Sequence, residues 1–311
     1  MTGRPGAGSE HVAQGSAAVR GRLLGVRGST PAPGERFARV GGHTSCLAVA
    51  PPGDDPAGRW LVLDAGTGFR GLAEVLGDRA LDADVVLTHL HWDHIQGLPF
   101  LRNADRPDAR IDLWIPAPEA EPGVAPEDVD AAALELLARG FAPPSFPIRP
   151  DELGGTWRFR ALRPGPLDVA APDTCATAVE VRHKGGVTVG VRVERGGRSL
   201  AYVPDHCVGR ASRRDLEGVR ELCAGVDVLL HDSQYVEHER AIADDFGHCT
   251  ATDAVDLAVS AGAARLVLIH HAPGRDDASI SDVVDEAAAR IAHLGSALRL
   301  ELGTEGQLLE V

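Results

Sequence analysis

The chain has little that would bind nucleic acid or build a disulfide framework. Its 311 residues include a single lysine, Lys184, and acidic side chains outnumber basic ones by 45 to 31, giving a net charge of −14. Nucleic-acid-binding surfaces are usually basic, so this balance disfavours a nucleic acid as the main partner, although a local basic patch stays compatible with it. The five cysteines are odd in number and form no C-x-x-C pair, which disfavours disulfides and a cysteine zinc knuckle.

Long apolar segments are also missing. The first twenty residues contain no apolar core of the kind that a secretory signal needs, and no later stretch approaches 18 uninterrupted apolar residues. We therefore expect a cytoplasmic protein that does not associate with a membrane. Residues 1–20 are small, polar and aperiodic, and they are predicted to form a flexible tail. Residues 21–311 are predicted to form a single domain.

Short apolar runs bounded by glycine and proline recur through this domain and predict strands. The runs are 22–28, 46–50, 60–66, 84–89, 111–116, 157–162, 177–183, 187–194, 199–205, 226–232, 265–271, 298–302 and 307–311. Helical patterns occur at 126–140, 250–262 and 279–295, the second with Thr250 and Asp253 at capping-box spacing. The Pro-rich segment 117–156 around the first helix is interpreted as an excursion of unassigned role. The pattern favours an α/β fold of two sheets with helices outside.

The segment THLHWDHIQGLP, at 88–99, concentrates metal-binding side chains directly after a predicted strand. His89, His91, Asp93 and His94 fall within six positions. Neutral imidazole nitrogens and a carboxylate oxygen are good ligands for divalent metals, and a loop at the strand end lets them surround two points. The alternative is a solvated turn with coincidental histidines, which the density of the motif disfavours. Trp92, inside the motif, is expected to pack beneath the loop.

Four side chains are too few for two metal ions, so further ligands must come from other parts of the chain. His183, Asp205 and His270 each stand at the end of a predicted strand. A turn-capping role is the alternative for each of them. His271 follows His270 directly, and the sequence does not decide which of the two would be the ligand.

Taken in order along the chain, these motifs resemble the metallo-β-lactamase fold superfamily. The resemblance runs from about Arg22 to the C-terminus. It rests on GSTP (28–31), GGHTSC (41–46), DAGTG (64–68), THLHWDH (88–94), VPDH (203–206) and IHH (269–271). It implies a four-layer αββα sandwich of two mixed sheets, with metals bound at one edge between the sheets.

The same resemblance implies a binuclear metal centre with a defined ligand set. One ion would be held by His89, His91 and His183. The other would be held by Asp93, His94 and His270, and Asp205 would bridge the two. Two such ions can share a hydroxide that attacks a scissile group, with Asp93 taking part in catalysis as well as ligation. Zinc is the first candidate for both ions, with Mn²⁺ and Fe²⁺ as alternatives.

Two further segments resemble the ribonuclease Z-like phosphodiesterase branch of that superfamily. They are LLHDSQY at 229–235 and GHCTATDA at 247–254. The resemblance implies that His248 protonates the leaving oxygen or steadies the phosphate, and that Asp232 orients it, although the branch commonly has glutamate in place of Asp232. An imidazolium beside a carboxylate suits the spread negative charge of a phosphodiester transition state. The alternative is that His248 merely begins a helix and Asp232 caps a turn.

The favoured function is therefore a binuclear metal-dependent hydrolase acting on small or cyclic phosphodiesters. The net charge, and the lack of any segment resembling a protruding basic arm, make tRNA an unlikely substrate. The alternatives are hydrolysis of a carbon ester, lactone or thioester, and a metal-binding cofactor-pathway or regulatory protein without hydrolytic activity. The sequence leaves a homodimer open.

Overall fold

The computed structural model describes residues 19–118 and 123–311. The strands within them are β1 (Arg20–Gly25), β2 (Cys46–Val49), β3 (Trp60–Leu63), β4 (Asp82–Val86), β5 (Arg110–Pro116), β6 (Thr156–Leu162), β7 (Gly165–Leu167), β8 (Cys175–Glu180), β9 (Val189–Arg195), β10 (Arg198–Val203), β11 (Val228–Asp232), β12 (Arg265–Ile269), β13 (Arg299–Leu302) and β14 (Leu308–Glu310). The helices are α1 (Leu72–Leu76), α2 (Trp92–Ile95), α3 (Pro126–Ala138), α4 (Arg213–Leu222), α5 (Arg240–Phe246), α6 (Ala251–Ala261) and α7 (Ser281–Leu294).

The strands form two mixed sheets of seven strands each. The first has the order β14-β1-β2-β3-β4-β5-β6 and the second the order β13-β12-β11-β10-β9-β8-β7. In the first sheet, β14, β1, β2 and β3 pair antiparallel and β3 to β6 pair parallel. In the second sheet, β7 to β10 pair antiparallel and β10 to β13 pair parallel. Each sheet therefore has a parallel half whose strand ends meet at one edge.

Two hydrophobic cores explain why the central strands are apolar throughout. In β3, Leu61 and Leu63 face the core shared with the second sheet, whereas Trp60 and Val62 face a second core beneath the helices of the first sheet. Because successive side chains point to opposite faces, a strand covered on both sides reads as a continuous apolar run. The layers are helices, sheet, sheet and helices, which confirms the predicted αββα sandwich.

The thirteen predicted strands are all present, and the predicted helices are α3, α6 and α7. The Thr250–Asp253 capping box opens α6. The three-residue β7 and the helices α1, α2, α4 and α5 were not predicted. Of the predicted tail, residues 1–18 lie outside the described residues, while Val19 is buried and Arg20 begins β1. Across the described ranges, no helix is long and apolar enough to cross a membrane.

Candidate metal centre

The predicted ligands converge because each follows the carboxyl end of a strand. The cluster His89–His94 follows β4 in the first sheet, and Asp205 and His270 follow β10 and β12 in the second. His183 follows β8, which runs parallel to β10 since both are antiparallel to β9. Carboxyl ends of strands at one sheet edge are a common location for binding sites in α/β folds. The structure thus brings together seven side chains that are up to 181 positions apart in the chain.

The seven side chains form two groups that share one carboxylate. His89, His91, His183 and Asp205 place one ligand-type atom each within 4.8 Å of one another, and so do Asp93, His94 and His270. Oδ1 of Asp205 lies 3.0 Å from Nε2 of His94 and 3.1 Å from Nε2 of His270. Its Oδ2 lies 3.4 Å from Nε2 of His183 and 3.7 Å from Nε2 of His89. One oxygen therefore faces each group, as a bridging carboxylate would require.

The donor atoms of this cluster lack the hydrogen bonds that buried polar atoms normally make. Nε2 of His89, Nε2 of His94 and Oδ1 of Asp205 are buried, and none of them makes a hydrogen bond of normal geometry to another described residue, although the last two lie 3.0 Å apart. A buried polar atom without a partner costs about 1–3 kcal/mol, so three within one cluster call for a ligand. The set of imidazoles and carboxylates fits divalent metal ions.

Several ring nitrogens are already fixed by hydrogen bonds on the side away from the cluster. Nδ1 of His183 donates to the carbonyl oxygen of Gly247 at 2.6 Å, which leaves its Nε2 as an electron-pair donor. Nδ1 of His94 contacts Oδ2 of Asp64 at 2.7 Å with the same consequence. Outer partners of this kind orient metal ligands and select their tautomer. Asp64 is a functional residue that sequence reasoning missed, although its DAGTG segment was noted.

The electrostatics of the cluster favour ionised carboxylates. Burial would raise the pKa of Asp205, but the surrounding histidines outweigh burial and lower it well below its usual value. Burial lowers the pKa of His89 well below its usual value, so its imidazole is neutral and ready to ligate. His94 differs, since burial is outweighed by Asp64, Asp205 and Asp93, which raise its pKa. A metal ion binding there has to displace a proton.

Asp93 and His270 are positioned by the segment GSTP at 28–31. The backbone N–H of Ser29 donates to Oδ2 of Asp93 at 2.6 Å, and Nε2 of His270 lies 3.2 Å from the same oxygen. A Cβ atom on Gly28 would fall 2.4 Å from the ring of His270, so only glycine leaves room for that imidazole. His271 points elsewhere, because its Nε2 donates to the carbonyl oxygen of Gly303 at 2.9 Å. His270 is therefore the histidine in the cluster.

The predicted dyad lies beside the bridging carboxylate. Nδ1 of His248 is 3.0 Å from Oδ2 of Asp232 and 3.8 Å from Oδ2 of Asp205. Burial would lower the pKa of His248, but the carboxylates, Asp232 first, outweigh it and raise that pKa to about 9. Asp232 also accepts backbone N–H groups of His206, Cys249 and Gln234 at 3.0–3.3 Å, which hold the carboxylate in place.

The cluster opens into a cleft of about 570 Å³. Its lining includes Asp93, Asp205, His248 and His270 together with the exposed Lys184. The prediction that Trp92 packs beneath the metal-binding loop is wrong, because its side chain is 70% exposed. The loop itself closes into the single helical turn α2, in which Asp93 and His94 turn inward and Trp92 turns out.

Comparisons with known proteins show the family to which the chain belongs. A family profile described as "Beta-lactamase superfamily domain" matches residues 59–271, more than half of the chain. The ribonuclease Z of Salinibacter ruber is 30% identical over 275 residues, covering 73% of this chain and 79% of that protein. The prediction that tRNA is an unlikely substrate gains no support from a ribonuclease relative.

Two solved structures share the fold over nearly the whole chain. The metallo-β-lactamase fold protein YhfI from Bacillus subtilis superposes with a TM-score of 0.65 at 17% identity, covering 94% of this chain and 99% of that one. A diphosphatase from the PhnP family superposes with a TM-score of 0.63, also at 17% identity, covering 94% and 98%.

Proposed function

We propose that this chain, a metal-dependent hydrolase, hydrolyses small or cyclic phosphodiesters. The chain belongs to the β-lactamase superfamily and to its ribonuclease Z-like branch. The observation that carries this proposal is the His248–Asp232 pair, 3.0 Å apart and directly beside Asp205. An imidazolium held by a carboxylate beside the metal ligands suits a phosphodiester, because it can protonate the leaving oxygen and can stabilise the negative charge that spreads over the phosphoryl oxygens in the transition state. The pair therefore favours phosphodiesters over carbon esters.

In the proposed site, the seven ligands would hold two divalent ions, with zinc as the first candidate. When bound, the ions would supply Lewis-acid activation of water and of the phosphoryl oxygens. Asp205 would keep both ligand groups in register through its two oxygens. Asp93, whose carboxylate accepts the backbone N–H of Ser29, would be held in position as a ligand next to His270.

His248 is proposed to act on the leaving oxygen. Its Nδ1 is engaged with Asp232, so Nε2 is the atom that can donate a proton into the cleft. A pKa raised to about 9 keeps this imidazole protonated at neutral pH, which suits a general acid. The proton would be lost as the pH rises through that pKa, so turnover supported by His248 should fall on the alkaline side.

We favour a small substrate over tRNA because the cleft offers little positive charge. Among the described residues that line it, Lys184 is the only side chain with a permanent positive charge, and the net charge of the chain is −14. Binding several phosphates along an RNA strand normally needs several lysine or arginine contacts. A ribonuclease relative keeps tRNA as the second candidate, and precursor tRNA belongs in the test.

The test is a turnover screen on metal-loaded protein, followed by His248→Ala. The screen sets 2′,3′- and 3′,5′-cyclic nucleotides and bis-(4-nitrophenyl) phosphate beside a lactone, a thioester and precursor tRNA. His248→Ala should keep its metal content, while turnover of cyclic nucleotides falls by about 10²–10⁴-fold, the usual size of a general acid's contribution. The loss should be smaller for 4-nitrophenyl esters, whose leaving group needs little protonation. Asp232→Asn should show a milder form of the same pattern.

Two outcomes would count against the proposal. Wild-type rates for cyclic nucleotides in His248→Ala would make the dyad structural and remove the argument against carbon esters. Turnover of the lactone or thioester well above that of every phosphodiester would assign the centre to those substrates instead.

A further inference from the structure

We propose that an aromatic cavity beside the metal cleft binds a planar ring of the substrate, so that the phosphodiesters hydrolysed carry a nucleobase. This inference rests on the proposed function and adds the chemistry of the group attached to the phosphate. The cavity has a volume of about 310 Å³, and its aromatic residues are Trp92, Phe100, Phe141 and Phe146. A volume at the low end for ligand pockets suits one ring system.

The exposure of two of these aromatic rings, those of Trp92 and Phe100, is the first observation behind the proposal, whereas Phe141 is buried. Trp92 is 70% exposed and Phe100 58% exposed, although large apolar side chains usually gain free energy from burial. Trp92 stands between His91 and Asp93, so a residue in the middle of the candidate metal motif presents its indole to solvent. Exposed aromatic groups that lie together are a common feature of binding sites.

The arrangement of the cavity is the second observation. The ring of Phe146 lies edge-on to Phe141 at 4.6 Å and to Phe100 at 6.1 Å between centroids. No charged residue lines the cavity among the described residues, and its polar groups are those of Gln96 and Ser145. These are the features of a surface on which a base can stack, with a few polar groups to hydrogen-bond its edge.

Continuity with the metal cleft is the observation that selects the occupant. Trp92 lines both the metal cleft and the aromatic cavity. A molecule whose phosphate contacts the cluster at Asp205 can therefore place an attached ring against Trp92 without leaving the surface. Phe141 and Phe146 belong to the excursion at 117–156, and this proposal gives that segment the role of completing the base-binding cavity.

Phe246 offers a competing aromatic surface in the metal cleft and hence a control. Phe246 is 55% exposed, lines the metal cleft but not the aromatic cavity, and lies under the ammonium group of Lys184 at 5.6 Å. If a base stacked there instead, loss of Phe246 would weaken nucleotide binding. The two aromatic sites can therefore be separated by substitution.

The experiment measures the binding of AMP, ribose 5-phosphate and adenosine to the metal-loaded protein by calorimetry. Stacking of one base on aromatic side chains corresponds to a preference of roughly 5- to 100-fold for AMP over ribose 5-phosphate. Phe100→Ala removes an exposed ring and should lose most of that preference, while the affinity for ribose 5-phosphate stays unchanged. Gly140→Leu keeps every aromatic ring but fills the space near Trp92, because a Cβ there lies 3.7 Å from Nε1 of that residue. Gly140→Leu should therefore also lose most of the preference for AMP over ribose 5-phosphate, whereas Phe246→Ala should keep that preference.

The possible outcomes separate this inference from the proposed function. Suppose that adenosine binds, that Phe100→Ala abolishes this binding, and that ribose 5-phosphate does not bind. This result would support base binding in the aromatic cavity but contradict phosphate binding at the metal centre. Equal affinities for AMP and ribose 5-phosphate, or a preference lost in Phe246→Ala and kept in Phe100→Ala, would overturn the inference. A change from dimer to monomer in Phe100→Ala by sedimentation would also overturn it, by making this face an interface between two copies of the chain.

Discussion

Replacing Asp64 by asparagine should weaken metal binding without removing any ligand. Oδ1 of Asp64 accepts the backbone N–H of Thr88 at 2.7 Å and its hydroxyl at 2.9 Å, while Oδ2 contacts Nδ1 of His94 at 2.7 Å. The amide oxygen of asparagine has to stay with the N–H of Thr88, so its NH₂ group would face His94. Nδ1 would then accept a hydrogen bond and Nε2 would carry the proton, which prevents ligation.

The expected loss is about 10- to 100-fold in affinity, or about 1.4–2.7 kcal/mol, because substitutions of such outer partners have effects of this size. The affinity of the protein for Zn²⁺ and Mn²⁺ can be measured by competition with a chelator. The difference in metal affinity between Asp64→Asn and the wild type should become smaller as the pH falls. In the wild type, the raised pKa of His94 means that metal has to displace a proton, and this competition is weaker once the carboxylate of Asp64 is gone.

Asp84→Asn is the matched control for this measurement. Asp84 is also buried in the first sheet, where it accepts hydrogen bonds from Arg59, Trp114 and the backbone of Ala170 and Ala171. Its substitution should lower the thermal midpoint while leaving metal affinity unchanged. Unchanged metal affinity in Asp64→Asn would refute the reasoning, because it would show that the tautomer of His94 does not depend on the carboxylate.

Three other substitutions or truncations test separate parts of the structure. Asp205→Ala should lose metal at both sites, since one oxygen faces each ligand group, and elemental analysis showing two ions per chain would contradict the bridging role. Gly28→Ala should displace the ring of His270 and lower the metal content towards one ion per chain. A metal content equal to that of the wild type would show that the backbone at 28–31 moves instead of the His270 ring. A chain that begins at Arg20 should melt about 4 °C below one that begins at Val19, because burying that valine contributes roughly 2 kcal/mol; equal midpoints by calorimetry would contradict this.

The strands could be predicted because most are buried on both faces, but their ends could not. The predicted runs 60–66, 84–89 and 265–271 continue through Asp64, His89 and His270, whereas β3, β4 and β12 end before these residues. Asp64 and His270 adopt positive φ angles of 61° and 60°. Non-glycine residues rarely adopt this conformation, and although aspartate and histidine adopt it more often than most, their identity alone does not predict that the chain turns there.

Helix α4 was missed for a different reason. Its sequence, RRDLEGVREL, is mostly charged, and only Val219 and Leu222 are buried. The signal that could have identified it is the capping box formed by Ser212 and Asp215, which satisfies the first backbone N–H groups of the helix. A capping box alone marks where a helix begins. Because the helix has few apolar residues, their spacing did not predict how far it extends.

The ligand-type side chains of the candidate centre could be named from the sequence, whereas the groups that orient them could not. Imidazoles and carboxylates at strand ends are visible as residue types. The partners that position them include the carbonyl oxygen of Gly247 and the backbone N–H of Ser29, and every residue except proline carries both kinds of group. Only the arrangement of the backbone decides which carbonyl or N–H faces an imidazole.

Trp92 shows how a wrong prediction points to a property of the surface. Tryptophan between two candidate metal ligands was expected to pack beneath their loop, because large aromatic side chains usually contribute to a core. In α2, however, the inward positions are taken by Asp93 and His94, which have to reach the cluster, so the residue that opens the turn faces outward. The indole then lines the aromatic cavity together with Gly140, Phe141, Ser145 and Phe146. The geometry that the ligands require is thus also what places an aromatic ring at the rim of the cleft, where a substrate can reach it.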